Sequence, residues 1–282
     1  MRCADATRLV VLAALWGASF LFMRIVAPVL GPVVTADARI LVAVLALAIY
    51  FRIVRFDPQW RRWWREYAIV GSMNTAFPFV LYAYAAIHIP ASLSAVLNAT
   101  APMWGALLAS IFLAERLTAG RLAGLVLGVA GVALVTRPGP GAQLVPLAIA
   151  AAAGGAFCYG LAGVYLKRRA QDAPARGMAL GTQLAAGILL APFIALAPPL
   201  APLTPLVVAC ILAAGVLSGA LAYILYFRLI ADIGPIRSLT VTYLIPVFGV
   251  LFGALFLGEA ITAWMIAGAA LVILGTVLVL RK

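Results

Sequence analysis

The chain has 282 residues, of which 66% are apolar and only 10% carry a charge. So few charges cannot cover a water-soluble domain of this size, and the composition excludes a soluble globular fold in favour of a membrane protein. The formal net charge of +12 needs no nucleic-acid partner, because basic residues beside membrane spans set topology and meet anionic lipid head groups.

In chain order, apolar segments that approach the ~20 residues of a bilayer crossing cover residues 9–27, 35–51, 67–87, 91–113, 120–136, 144–166, 177–197, 204–228, 236–257 and 262–280. Backbone groups in lipid must bond internally, so each segment reads as a helix. The expectation is an all-α membrane protein with ten transmembrane helices. The first segment, with Arg2 and Arg8 ahead of it, reads as a retained helix. Its apolar run is long for a signal peptide, and no small-x-small cleavage site follows at once. The stretch Asp57–Tyr67, with Trp60, Trp63 and Trp64 among arginines, reads as an interfacial segment. Three cysteines, Cys3, Cys158 and Cys210, cannot make a disulfide framework; the last two sit in apolar runs and read as packing residues.

Basic residues orient this bundle. Arg2, Arg8, Arg52, Arg55, Arg61, Arg62, Arg65, Arg116, Arg121, Lys167, Arg168, Arg169, Arg176, Arg228, Arg237, Arg281 and Lys282 fall on one side of a ten-helix trace, which is 17 of the 20 Lys and Arg. Only Arg24, Arg39 and Arg137 fall toward the other. The positive-inside rule then places both termini in the cytoplasm.

The chain also repeats itself. At an offset of 144, Tyr226 falls on Tyr82, Ser238 on Ser94, Pro246 on Pro102, Gly249 on Gly105, Glu259 on Glu115, Thr262 on Thr118, Gly268 on Gly124 and Gly275 on Gly131. At an offset of 143, Trp16-Gly17 pairs with Tyr159-Gly160, Phe22 with Tyr165 and Arg24 with Lys167. The expected division is 1–137 and 138–282, five helices each. Five is odd, so tandem halves must cross the membrane in opposite senses. Inverted repeats are a hallmark of secondary transporters, whose halves exchange conformations about a central site.

Prolines point to where that site should be. A proline inside a helix frees the carbonyl four residues earlier: Pro102 frees that of Asn98, Pro246 that of Thr242, and Pro78 that of Asn74. Interrupted segments at matching places in two halves are the best sequence pointer to a transport site. Asn74, Pro78 and Tyr82 stand at i, i+4 and i+8 on one helical stripe. Trp16, Ser19, Trp104, Tyr159, Tyr223, Tyr226 and Tyr243 share the inward-facing segments. Together with Asn98, Pro102, Thr242 and Pro246 they form the candidate substrate-binding set. A lining of Trp and Tyr with scattered amides and hydroxyls suits a neutral or zwitterionic, partly apolar small molecule. Small-xxx-small patterns at Gly105/Ala109, Gly124/Gly128, Gly215/Gly219 and Gly249/Gly253 mark close helix crossings, within the chain or in a homodimer.

No HExxH, GxSxG, Walker loop or paired Cys or His is present, so neither catalysis, nor a metal site, nor a cofactor is expected. Asp37, Glu115, Asp232 and Glu259 all fall near segment ends, which argues against coupling through a mid-membrane carboxylate. Asp37 with Arg39, or His88, is expected to titrate at the outer rim. Arg24, Arg39 and Lys167 are expected to lie too near helix ends to hold a phosphate-bearing solute.

The Trp16-Gly17-Ala18-Ser19-Phe20 run, Arg39, and Ala91–Pro102 followed by Glu115-Arg116-Leu117 resemble EamA-type members of the drug/metabolite transporter superfamily. The second copy, Pro235–Pro246 followed by Gly258-Glu259-Ala260, resembles them again. The resemblance implies a ten-helix inverted-repeat carrier of YddG-like fold, with helices 1, 3, 4, 6, 8 and 9 around a central cavity, exporting amino acids, related metabolites or toxic compounds. The reading is therefore a bacterial inner-membrane exporter of small amphipathic metabolites, working by alternating access as a monomer or homodimer in lipid. The alternatives are an aromatic-amino-acid or drug exporter, a sugar-phosphate type exchanger, a lipid scramblase or a membrane enzyme.

Overall fold

The computed structural model describes residues 3–137, 145–234 and 238–280. Arg2, Pro235, Arg237, Arg281, Lys282 and the side chain of Cys3, which figure in the sequence analysis, lie outside the described part. Among the described residues the secondary structure is entirely helical.

Helix α1 runs Cys3–Ile53 but bends at Gly31, whose φ of 73° and ψ of 169° are not helical. Pro28 and Pro32 bracket this point, and only glycine takes such a φ without a Cβ penalty. The bend leaves the Val29 carbonyl to accept the backbone N–H groups of Leu200 (2.8 Å) and Ala201 (3.1 Å). Two arms result, 3–30 and 32–53. Next come α2 (Trp60–Gly71), a π-helical stretch at Ser72–Ala76 and α3 (Phe77–His88), in one continuous rod. The α4 (Ala91–Asn98) and α5 (Ala101–Phe112) pair follows, then α6 (Ala119–Val135), α7 (Pro146–Arg169) and α8 (Ala175–Ile194). A second rod joins α9 (Pro205–Ala213), a π-helical stretch at Ala214–Leu221 and α10 (Ala222–Ile233). The last helices are α11 (Val241–Leu257) and α12 (Ala263–Leu280).

Among the described residues, seven helical rods, α1 counted as one, are long and apolar enough to cross a membrane; α6 and α11 are shorter apolar helices. Leu45, Val129, Leu196, Leu255 and Phe256 are each more than 60% exposed. Such an outer surface needs lipid around it, and the molecule is a multi-pass membrane protein.

Glycines set the helix spacing. A Cβ on Gly124 would stand 2.6 Å from the Gly275 carbonyl oxygen, and one on Gly131 2.7 Å from that of Gly268, so α6 and α12 meet backbone to backbone. Gly105 meets Gly160 between α5 and α7, Gly215 meets Val42, and Gly249 meets Ala95. The small-residue patterns thus serve contacts between the chain's own helices.

Polar contacts tie the two ends. Arg8 bonds Asp232 at the end of α10 (2.7 Å), and Arg24 donates to the Ile87 carbonyl at the end of α3 (2.8 Å). Arg8 and Arg24 are separated by about 24 Å along α1 at a rise of ~1.5 Å per residue. The repeat-related helices α3 and α10 therefore finish at opposite ends of the molecule.

Candidate functional site

A cavity of about 610 Å³ opens inside the bundle, in the range of small-molecule sites. Its walls come from the first arm of α1, both π-helical rods, α4 and α5, α7 and α11. The second arm of α1 adds Arg39, α6 adds Arg121, and α12 adds Val279 and Leu280.

Among the described residues, seven aromatic rings line the cavity, those of Trp16, Phe20, Phe79, Tyr82, Tyr159, Tyr223 and Tyr226. Trp16 meets Tyr226 at 5.3 Å and Tyr223 at 6.1 Å between ring centres. Phe20 stands edge-on to Tyr82 at 5.5 Å, and Tyr82 stacks with Tyr159 at 6.1 Å. The Tyr82 hydroxyl donates to Asn98 Oδ1 (3.1 Å), fixing the amide to the ring wall. The Ser218 hydroxyl donates to the Leu15 carbonyl (2.6 Å), joining the second π stretch to α1. Asn74 and Tyr223 line the same cavity.

Ten of the residues predicted from sequence line this cavity: Trp16, Ser19, Asn74, Tyr82, Asn98, Pro102, Tyr159, Tyr223, Tyr226 and Thr242. Pro78, Trp104, Tyr243 and Pro246 do not. Pro78 and Pro246 are buried; a proline acts on the carbonyl a turn before it, so Asn74 and Thr242 reach the wall while the prolines stay behind it. Trp104 turns onto α7, edge-on to Phe157 at 5.5 Å. Tyr243 sits about 100° around α11 from Thr242 and misses the cavity.

The backbone also departs from a simple kink. Segment 91–113 is broken: α4 ends at Asn98 and α5 begins at Ala101, across Ala99 and Thr100. The Thr276 hydroxyl donates to the Ala99 carbonyl at this break (2.8 Å). In α11, by contrast, Pro246 sits inside a continuous helix. The stripe expected for Asn74, Pro78 and Tyr82 is shifted by the π-helical Ser72–Ala76 stretch. A π turn spreads over one more residue, so Phe79, at i+5, joins Asn74 on the wall in place of Pro78.

Two charged residues, Arg39 and Asp37, behave differently from expectation. Arg39 lines the cavity although its sequence position suggested a helix end, whereas Lys167 lines it from the last turn of α7, the helix end expected for it. The bend at Gly31 returns the second arm of α1 into the bundle, so Arg39 is only 4% exposed. Asp37 is 0% exposed rather than at a rim, and neither of its carboxylate oxygens has a hydrogen-bond partner among the described residues. At the mouth, Glu115 is bonded by Lys167 and by Arg121 (3.1 Å). The hydrogen bond from Lys167 outweighs partial burial and, with Arg121, holds the Glu115 carboxyl below its ordinary range. At the opposite end Glu259, its repeat counterpart, accepts the N–H groups of Ala91 (2.6 Å) and Ser92 (2.9 Å), capping α4. The cavity wall reaches the Glu115 end and includes neither Arg24, Ala91 nor Glu259.

Sequence reasoning missed Phe20, Phe79, Ser218 and the charged wall residues. Ser218 was available: it stands 144 residues after Asn74. The deep wall is thus built from repeat-related pairs, Trp16 with Tyr159, Asn74 with Ser218, Tyr82 with Tyr226 and Asn98 with Thr242.

The sequence profile of the EamA-like transporter family matches the chain twice, over residues 7–137 and 146–281. This chain belongs to the EamA-like transporter family. It is 24% identical over 280 residues to an uncharacterized transporter, YvbV, of Bacillus subtilis, covering 98% of this chain and 92% of that one. It is 25% identical over 278 residues to a probable terminal-alkyne amino-acid exporter of Streptantibioticus cattleyicolor, covering 97% and 92%. An uncharacterized transporter of Archaeoglobus fulgidus is 25% identical over 273 residues, 95% of each chain. A protein of known crystal structure superposes with a TM-score of 0.68 at 20% identity, over 99% of this chain and 96% of that one. That likeness concerns the fold. The family and the relatives' names are those of transporters, not of enzymes.

Proposed function

We propose that this EamA-family protein is a secondary transporter that exports small amphipathic metabolites, amino acids or related compounds, across a bacterial inner membrane. In this reading the bend at Gly31 makes α1 two crossings. The short helices α6 and α11 also cross, giving ten spans with both termini in the cytoplasm. The halves 1–137 and 138–282 are inverted about the cavity, and alternating access follows from their exchanging conformations. The observation that carries the reading is the pairing of wall residues between the halves. A site shared by two similar halves is one that both can open. The apolar and aromatic deep wall suits an amphipathic solute, and one relative is named an amino-acid exporter. The ring-rich wall favours a solute with an aromatic side chain among these.

The test is counterflow in proteoliposomes with a panel of amino acids, sugars, organic cations and nucleosides. Asn98→Ala and Thr242→Ala are each expected to slow transport roughly tenfold, the effect of losing a hydrogen bond worth about 1–1.5 kcal/mol, while leaving folded protein in the membrane. Full activity in both variants contradicts the assignment of the site.

A further inference from the structure

Arg39 is the feature of the cavity that amphipathic transport alone leaves unexplained. Arg39 is only 4% exposed and lines the wall. Among the described residues it takes part in no salt bridge, and its Nη1 has no hydrogen-bond partner. It lies over the face of Phe79, 4.1 Å from the ring centre. Asp37, two positions earlier, does not neutralise it. Residues two apart on a helix point to opposite sides, and a Cβ on Gly187 of α8 would stand 3.7 Å from Asp37 Oδ1. At the repeat-related position the second half carries neutral Gln183, so the charge belongs to one half only.

A permanently charged group buried without a counter-ion is costly. It persists where function requires it, and its missing partner is an anion. The surroundings supply further donors. The Tyr159 and Tyr223 phenols and the Asn74 amide line the same cavity as Arg39. A guanidinium fork with phenol and amide donors matches a carboxylate, whose two oxygens accept side by side.

Resting on the transport reading above, we propose that Arg39 is the docking point for the carboxylate of an organic monoanion. Its apolar tail lies against Trp16, Phe20 and Tyr82. A phosphate ester would carry about two charges at neutral pH, and the other cations of the wall, Arg121 and Lys167, are engaged by Glu115 at the mouth. Among the described residues no acidic side chain lines the deep wall, since Glu115 is at the mouth and Asp37 is not in the lining. An α-ammonium group is therefore not required. The class is monocarboxylates with an apolar tail, with or without the amino group.

The test uses the purified full-length protein in detergent. Its melting temperature is measured with millimolar L-phenylalanine, 3-phenylpropionate or L-phenylalaninamide, with counterflow of the same three compounds run in parallel. Both acids are expected to raise the melting temperature and the amide to leave it unchanged. Arg39→Gln removes the response, corresponding to a loss of roughly tenfold or more in affinity, and Arg39→Lys keeps part of it. Should Arg39→Gln not fold, the acid-to-amide comparison and Arg39→Lys decide. The proposal is overturned if the amide stabilises as well as the acids, if folded Arg39→Gln keeps the full response, or if neither acid stabilises the protein. Acids that bind through Arg39 but do not cross support this proposal and contradict transport. Acid and amide that cross equally contradict this proposal and leave transport standing.

Discussion

Glu259 shows how a single carboxylate can hold a helix end in an apolar molecule. Its two oxygens accept the Ala91 and Ser92 N–H groups, which the first turn of α4 cannot satisfy internally. The negative charge also faces the positive end of the helix dipole. Glu259→Gln keeps the shape but loses the charge, and one oxygen becomes a donor facing a donor. The expected cost is about 1.5–3 kcal/mol, read as a lower melting temperature in detergent. A melting temperature equal to wild type contradicts the capping role. This contact was hidden in the sequence, where Glu259 and Glu115 read as equivalents. Only the packed structure shows that one meets backbone and the other meets Lys167 and Arg121. Arg39 was misplaced for a similar reason: nothing in its neighbours reveals that the arm carrying it folds back toward the centre.

At the level of elements, close helix contacts depend on absent side chains. Gly124 and Gly131 of α6 face carbonyls of α12 at distances that no Cβ tolerates. Backbone cannot yield as a flexible side chain can, so Gly124→Leu is expected to destabilise the protein by ~1–3 kcal/mol, seen as a fall in thermal stability in detergent. An unchanged melting temperature would mean that α6 and α12 are not held in this contact. The helices themselves were legible from apolar length, and the repeat was legible because its Pro, Gly and Glu markers keep their spacing. The π-helical stretches were not. Pro78 follows the first, but Ala222 stands at the corresponding place after the second, so proline does not explain both. The first packs against α8 and the second against α1, contacts between segments far apart in sequence that composition does not encode. The break at Ala99–Thr100 was half legible: Pro102 announced a disturbance, but not that the helix would stop and restart.

For the whole molecule, alternating access requires two similar halves arranged in opposite senses. Within the fold, α3 and α10 end about 24 Å apart along α1, tied by Arg24 and Arg8 respectively. The basic residues and the odd helix number predict that these ends face opposite sides of a bilayer. The most direct test is labelling of single cysteines, in a background lacking Cys3, Cys158 and Cys210, with a membrane-impermeant thiol reagent applied to intact cells. One cysteine replaces His88 at the end of α3 and the other replaces Ala231 near the end of α10; both positions are exposed. The His88→Cys protein is expected to be labelled from outside, and the Ala231→Cys protein only after the membrane is permeabilised. Labelling of both from outside, or of neither, contradicts the inverted arrangement.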